Sequence, residues 1–135
     1  MSEKTIVLND LTKPEEIFKL SEYLRELYRL SDLRFVSVDY SATPTFDSDE
    51  GDSFLITLTG NITGITIKNA YKGRQVVILF KQDAVGGHTI TGWPANVKLA
   101  AAAAIGGDDA GEYSTITLLY DDTNWVEISR TSDVR

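Results

Sequence analysis

The chain has 135 residues, 42% hydrophobic and 24% charged, which is one globular domain's worth of sequence with room for an appended helix. It has no cysteine and one histidine, His88, which excludes disulfides, thiol catalysis, thiolate zinc sites and His-rich metal centres within a single chain. Thirteen basic against twenty acidic residues give a net charge of −7, which argues against a nucleic-acid partner, and no apolar run reaches the roughly 20 residues that cross a membrane.

Residues 1–11 read as an extended arm. Within it Thr5, Ile6, Val7 and Leu8 form a short β-prone run with nothing adjacent to pair with. Such a run adds a strand to a partner, inserts into one, or frays. The first ten residues lack the basic-then-apolar pattern of a secretory leader.

Residues 12–34 read as an amphipathic helix. Thr12 is a candidate N-cap, Glu15 completes a capping box, and Pro14 falls in the permissive first turn. Ile17, Leu20, Leu24 and Leu27 are spaced three, four and three apart, a heptad seam. Tyr23 and Leu30 flank the seam on one side and Tyr28 on the other, making it wider than two strands need. The helix either packs on its own β-domain or self-associates into a short bundle. Two to three heptads are marginal alone, so the bundle would need help from the rest of the chain.

Residues 35–52 read as a strand and an acidic linker. Phe35 to Tyr40 alternates, and Ser41 to Asp52 is rich in Ser, Thr, Asp and Gly. Residues 53–135 read as a β-domain. Phe54, Ile56 and Leu58 alternate with Leu55, Thr57 and Thr59. Gly60-Asn61 is a candidate two-residue hairpin turn, with Ile62 to Ile67 as the returning strand. Val76 to Phe80 is continuously apolar, which predicts a strand buried on both faces. Gly86-Gly87 and Trp93-Pro94 mark turns, and Ala100 to Ala104 is either one helical turn or a close-packing stretch. Thr115 to Tyr120, a turn at Asp121 to Asn124 and a strand from Trp125 close the chain. The expected fold is mainly β: an N-terminal helix followed by a compact antiparallel β-sandwich or small barrel.

Charge is segregated along this domain. Between Arg34 and Lys68 all charges are acidic; from Lys68 to Lys98 only Asp83 is; from Gly106 to Ser129 all are acidic again. This is either a solvated surface or a set of stretches that meet across strands or subunits.

Little here supports catalysis. His88 is the only imidazole and sits among glycines with no nucleophile motif nearby, and the acids cluster in turns, where nothing sets the spacing that paired-carboxylate hydrolysis needs. Asp47, Asp49, Glu50 and Asp52 form an oxygen-rich run, but Gly51 and the acids miss the spacing of a calcium loop, so no metal and no cofactor is expected. Tyr71, Trp93 and Trp125 are candidate glycan contacts, each also readable as a core or turn residue.

Several strings occur in a telling order: Leu58-Thr59-Gly60-Asn61-Ile62-Thr63-Gly64-Ile65, Lys68 to Gly73, Gln82-Asp83, Gly86-Gly87, Trp93-Pro94-Ala95-Asn96-Val97 and Tyr120-Asp121-Asp122-Thr123-Asn124-Trp125. Residues 53–130 thereby resemble a β-module of phage tail fibres and other virion appendages. Two departures are Thr91-Gly92 before the Trp-Pro and Ala100 to Ala104 in place of a glycine-rich stretch. The resemblance implies a structural, usually homotrimeric virion protein with no catalytic residues. Its partners would be other proteins of capsid, neck or tail. Ile17, Leu20, Tyr23, Leu24, Leu27 and Leu30 would hold the trimer, and Thr5 to Leu8 the attachment. A receptor-binding module for a host surface glycan is the alternative.

Overall fold

A computed structural model describes the backbone of residues 12–31, 34–100 and 104–135, and the side chains of all of these except 28–31. The chain divides into two units, Met1–Asp32 and Leu33–Arg135. The described part of the first is one helix, α1 (Pro14–Ser31). It starts at Pro14, and Lys13, not Thr12, stands at the N-cap: Pro14 needs no N–H partner in the first turn, Glu15 and Glu16 favour the positive end of the helix dipole, and the Lys13 carbonyl accepts from the Glu16 and Ile17 amides at 3.1 and 3.2 Å.

The second unit is β throughout. Its strands are β1 (Phe35–Val38), β2 (Thr45–Asp47), β3 (Ser53–Leu58), β4 (Thr66–Lys68), β5 (Gln75–Gln82), β6 (Thr89–Ile90), β7 (Val97–Lys98), β8 (Ile105–Gly106), β9 (Tyr113–Tyr120) and β10 (Trp125–Val134). Six form one sheet in the order β1-β3-β5-β9-β10-β7; β2 pairs with β4, and β6 with β8.

The antiparallel sandwich or barrel is corrected. β1, β3 and β5 run parallel, in the registers Val36↔Phe54 and Phe54↔Ile78. β2 and β4 are also parallel, with Phe46 opposite Ile67. The first passes of the chain therefore stack as in a solenoid: β1 then β2, and β3 then β4, each lay one strand on the six-stranded sheet and one on the β2–β4 pair. Only the later strands are antiparallel: β9 turns back on β5, β10 on β9, and β6 pairs with β8.

The reason lies at Gly60-Asn61. A two-residue hairpin needs positive φ there, and neither residue has it. The chain instead runs on around the coil. Thr63 and Gly64 amides donate to the Ala42 carbonyl, the Asn61 side chain accepts from the Thr89 amide at 2.9 Å, and Ile62 bridges Ile90 in parallel. Gly92 fits this stacking by necessity. It has φ +77°, and a Cβ there would lie 2.0 Å from the Thr63 carbonyl oxygen.

The acidic linker is corrected as well. Residues 35–52 supply β1 and β2, and Phe46 is fully buried. Its ring meets Phe54 and Phe80 edge-on, with centroids 5.4 and 6.3 Å away, at the centre of a core that includes Ile56, Leu58, Ile78, Ile116, Leu118 and Trp125. β5 is not buried on both faces within one chain: Val76, Ile78 and Phe80 are buried, while Val77 and Leu79 stay half-exposed. Most of the Ala100 to Ala104 stretch lies outside the described residues, as do Thr5, Ile6, Val7 and Leu8.

Candidate functional site

The charge segregation resolves into contacts between successive coils. Asp47 stands in register with Lys68 across β2 and β4. Arg74, just before β5, reaches into the acidic loop between β2 and β3. Its guanidinium donates to the carbonyls of Ser48 and Gly51 (2.7 Å to the latter) and pairs with the Asp52 carboxylate. The inward oxygens of this loop thus converge on an arginine, the position a bound cation would take. Asp47 is used too, accepting from the Asn69 side-chain amide at 2.6 Å and the Asp49 amide at 3.0 Å, which with Lys68 hold its carboxyl below the usual range. Sequence reasoning missed Arg74; the switch from an all-acidic to a basic stretch between 52 and 68 was the available signal.

Beside this loop lies an open pocket of about 390 Å³. Asp52, Ser53, Tyr71, Arg74, Gln75 and Val77 line it. Tyr71 is 50% exposed, with the Arg74 guanidinium 5.6 Å from its ring centroid.

The other two glycan candidates fare differently. Trp125 is corrected to a core residue: it is 1% exposed, packs on Tyr120 at 5.0 Å between ring centroids, and offers no free ring face. Trp93 is half-buried, edge-on to Phe80 at 6.2 Å. The three aromatics therefore form no common platform.

His88 belongs to a turn. The buried Gln82 side chain brackets its backbone, donating to its carbonyl at 2.9 Å and accepting from its amide at 3.0 Å. The Asp83 carboxylate accepts from the Val85 and Gly86 amides and lies 3.0 Å from His88 Nε2. The Gly86 amide, followed by that of Val85 and the His88 ring, holds Asp83 below the usual carboxylate range. A carboxyl depressed in the folded state adds stability above its unfolded pKa, near 4, and loses that contribution as pH falls through the lower folded value. The melting-temperature gap between the parent and Asp83→Asn is therefore expected to shrink on acidification below about pH 4. A gap independent of pH would contradict this.

The other motif strings do comparable work. The Asn96 carbonyl accepts from the Trp125 amide at 2.8 Å, and Val97 pairs with Trp125 where β7 joins β10. Asp121 accepts from the Thr123 and Asn124 amides at 2.9 and 2.6 Å, while Asp122 takes the positive φ of the turn.

One carboxylate cluster stands apart. Asp108, Glu112 and Asp133 bring oxygens within 4.8 Å of one another. Ser114 donates to Asp108, and Arg135 lies 2.7 Å from Glu112. Burial, a hydrogen bond with Asp108 and the charges of Asp108 and Glu112 push Asp133 up.

In these contacts the motif residues close turns and join coils. A family model described as "Putative phage tail fibre C-terminal domain" matches residues 42–125. That is more than half of the chain, and the chain belongs to this family. The match starts at Ala42, the residue whose carbonyl takes the first amides of the next coil. No curated protein matches. The chain is thus a bacteriophage structural protein of the tail-fibre type, located in the virion.

Proposed function

We propose that this chain is a homotrimeric, non-enzymatic tail-fibre component, joined through the α1 seam and attached to another virion protein by its N-terminal arm. The exposure of the seam carries the reading. Ile17 is 50% and Leu24 43% exposed, with Leu20, Tyr23 and Leu27 half-buried. Apolar residues repeating at heptad spacing and open to solvent are covered when copies associate. The Leu30 side chain, the sixth seam position, lies outside the described ones.

Leu24→Asp would put a carboxylate into each strand of that seam. Sedimentation equilibrium at micromolar concentration is expected to give a trimer for the parent and a lower mass for the variant. A monomeric parent would overturn the trimer. The arm is tested separately by deleting residues 1–9, which should leave folding intact but remove the protein from virions. Normal incorporation would assign attachment elsewhere.

The exposed Tyr71 ring beside its pocket favours a second reading, a host-glycan contact. It requires that Tyr71→Ala abolish adsorption to host cells without loss of fold.

A further inference from the structure

We infer that the outer face of the six-stranded sheet is a contact surface for a second copy of this chain. The inference rests on the oligomeric reading above and adds the surface that helps the helix seam hold the copies together. Along the sheet, side chains alternate between the buried core and this opposite face. The pair registers bring Phe35, Leu55, Val77, Leu79, Leu119 and Val126 onto it. Phe35 is 59% and Val126 37% exposed, and the four between them are half-exposed.

Two features say that this face is covered in the working protein. β1, β3 and β5 run parallel, and parallel sheets are built to be covered on both sides. β5 is apolar from Val76 to Phe80, the pattern of a strand buried on both faces, yet one chain buries only one of them.

Charge and size identify the occupant. Among the described residues of this sheet, the outward-facing rows carry two charges, both basic: Lys98 beside Val126, and Lys81, whose ammonium sits 5.5 Å from the Tyr113 ring centroid. A chain of net charge −7 repels its copies wherever acids face acids, and this face presents none. Five strands at about 4.8 Å spacing span roughly 20 Å, whereas one helix with its side chains covers about 10–12 Å, so α1 alone is too narrow. Over four side-chain rows the face measures on the order of 500 Å² per copy. Two copies then bury about 1,000 Å², the lower bound for a specific interface.

The test uses the full chain carrying Leu79→Lys or Thr117→Lys, both at half-exposed positions in the middle of the face. Sedimentation equilibrium should show the parent as an oligomer and both variants at lower mass, with an unchanged far-UV circular dichroism spectrum. Thr117→Cys supplies a second readout that does not depend on how lysine is tolerated. Since the chain has no other cysteine, a short bismaleimide should link two chains through this position. An oligomeric parent whose lysine variants keep its mass, with no linked chains from Thr117→Cys, overturns the surface and leaves the oligomer standing. A monomeric parent overturns both.

Discussion

Phe46→Ala is expected to destabilise the β-unit by about 3–5 kcal/mol, a large part of the stability of a domain this size. Phe46 lies in a three-residue strand inside a stretch that looks like a solvated linker, yet none of its surface is exposed. Its ring touches Phe54 of β3 and Phe80 of β5, so it joins the stacked coils at their centre. Removing it leaves a cavity bounded by two aromatic rings that cannot both move in to fill it. If residues 41–52 were a linker, the change would fall within about 0.5 kcal/mol, as surface substitutions do. Urea denaturation followed by circular dichroism distinguishes the two, provided that the slope of the transition is unchanged.

Arg74→Met is expected to cost about 3 kcal/mol, the low end for breaking a buried ion pair. The side chains of Arg74 and Asp52 are 16% and 22% exposed, so solvent relieves part of the penalty. Methionine keeps the length and apolar stem of arginine but leaves the Asp52 carboxylate and the Ser48 and Gly51 carbonyls without their donor. The loop between β2 and β3 should then loosen first, visible as faster amide exchange at Glu50 and Asp52, whose amides bond to Asp47 and Arg34 carbonyls. A loss below about 0.5 kcal/mol would mean that the loop holds itself.

The helix, the long strands and the family were legible in the sequence because each rests on a local pattern. Pro14 and the helical period place α1, strict alternation places β3 and β9, and the ordered strings from Gln82 to Trp125 mark turns whose chemistry is local. The parallel stacking was not legible. β2 and β4 are three residues each, too short for alternation to register, and their pairing joins residues about twenty apart across the whole of β3. Gly60-Asn61 looked like a hairpin because that dipeptide is compatible with one; whether the turn forms depends on Ile62 finding Ile90, a contact no local window contains. Burial of Trp125 was hidden likewise, since a tryptophan after a turn suits both core and surface, and only the β9–β10 pairing decides. The candidate site divides the same way. The heptad spacing of Ile17, Leu20, Leu24 and Leu27, which the proposed oligomer rests on, follows from helical period, while the contacts of Arg74 depend on which acidic loop the next coil brings to it.

The cross-strand nuclear Overhauser spectrum of the full chain tests the stacked-coil architecture most directly. Parallel stacking places Phe46 beside Ile67 and Ile56 beside Phe80, with amide-to-Hα contacts along both ladders. Those contacts are expected, together with one from Ile62 to Ile90. Close Hα–Hα contacts between residues 53–58 and 62–67, the mark of an antiparallel hairpin at Gly60-Asn61, would contradict it.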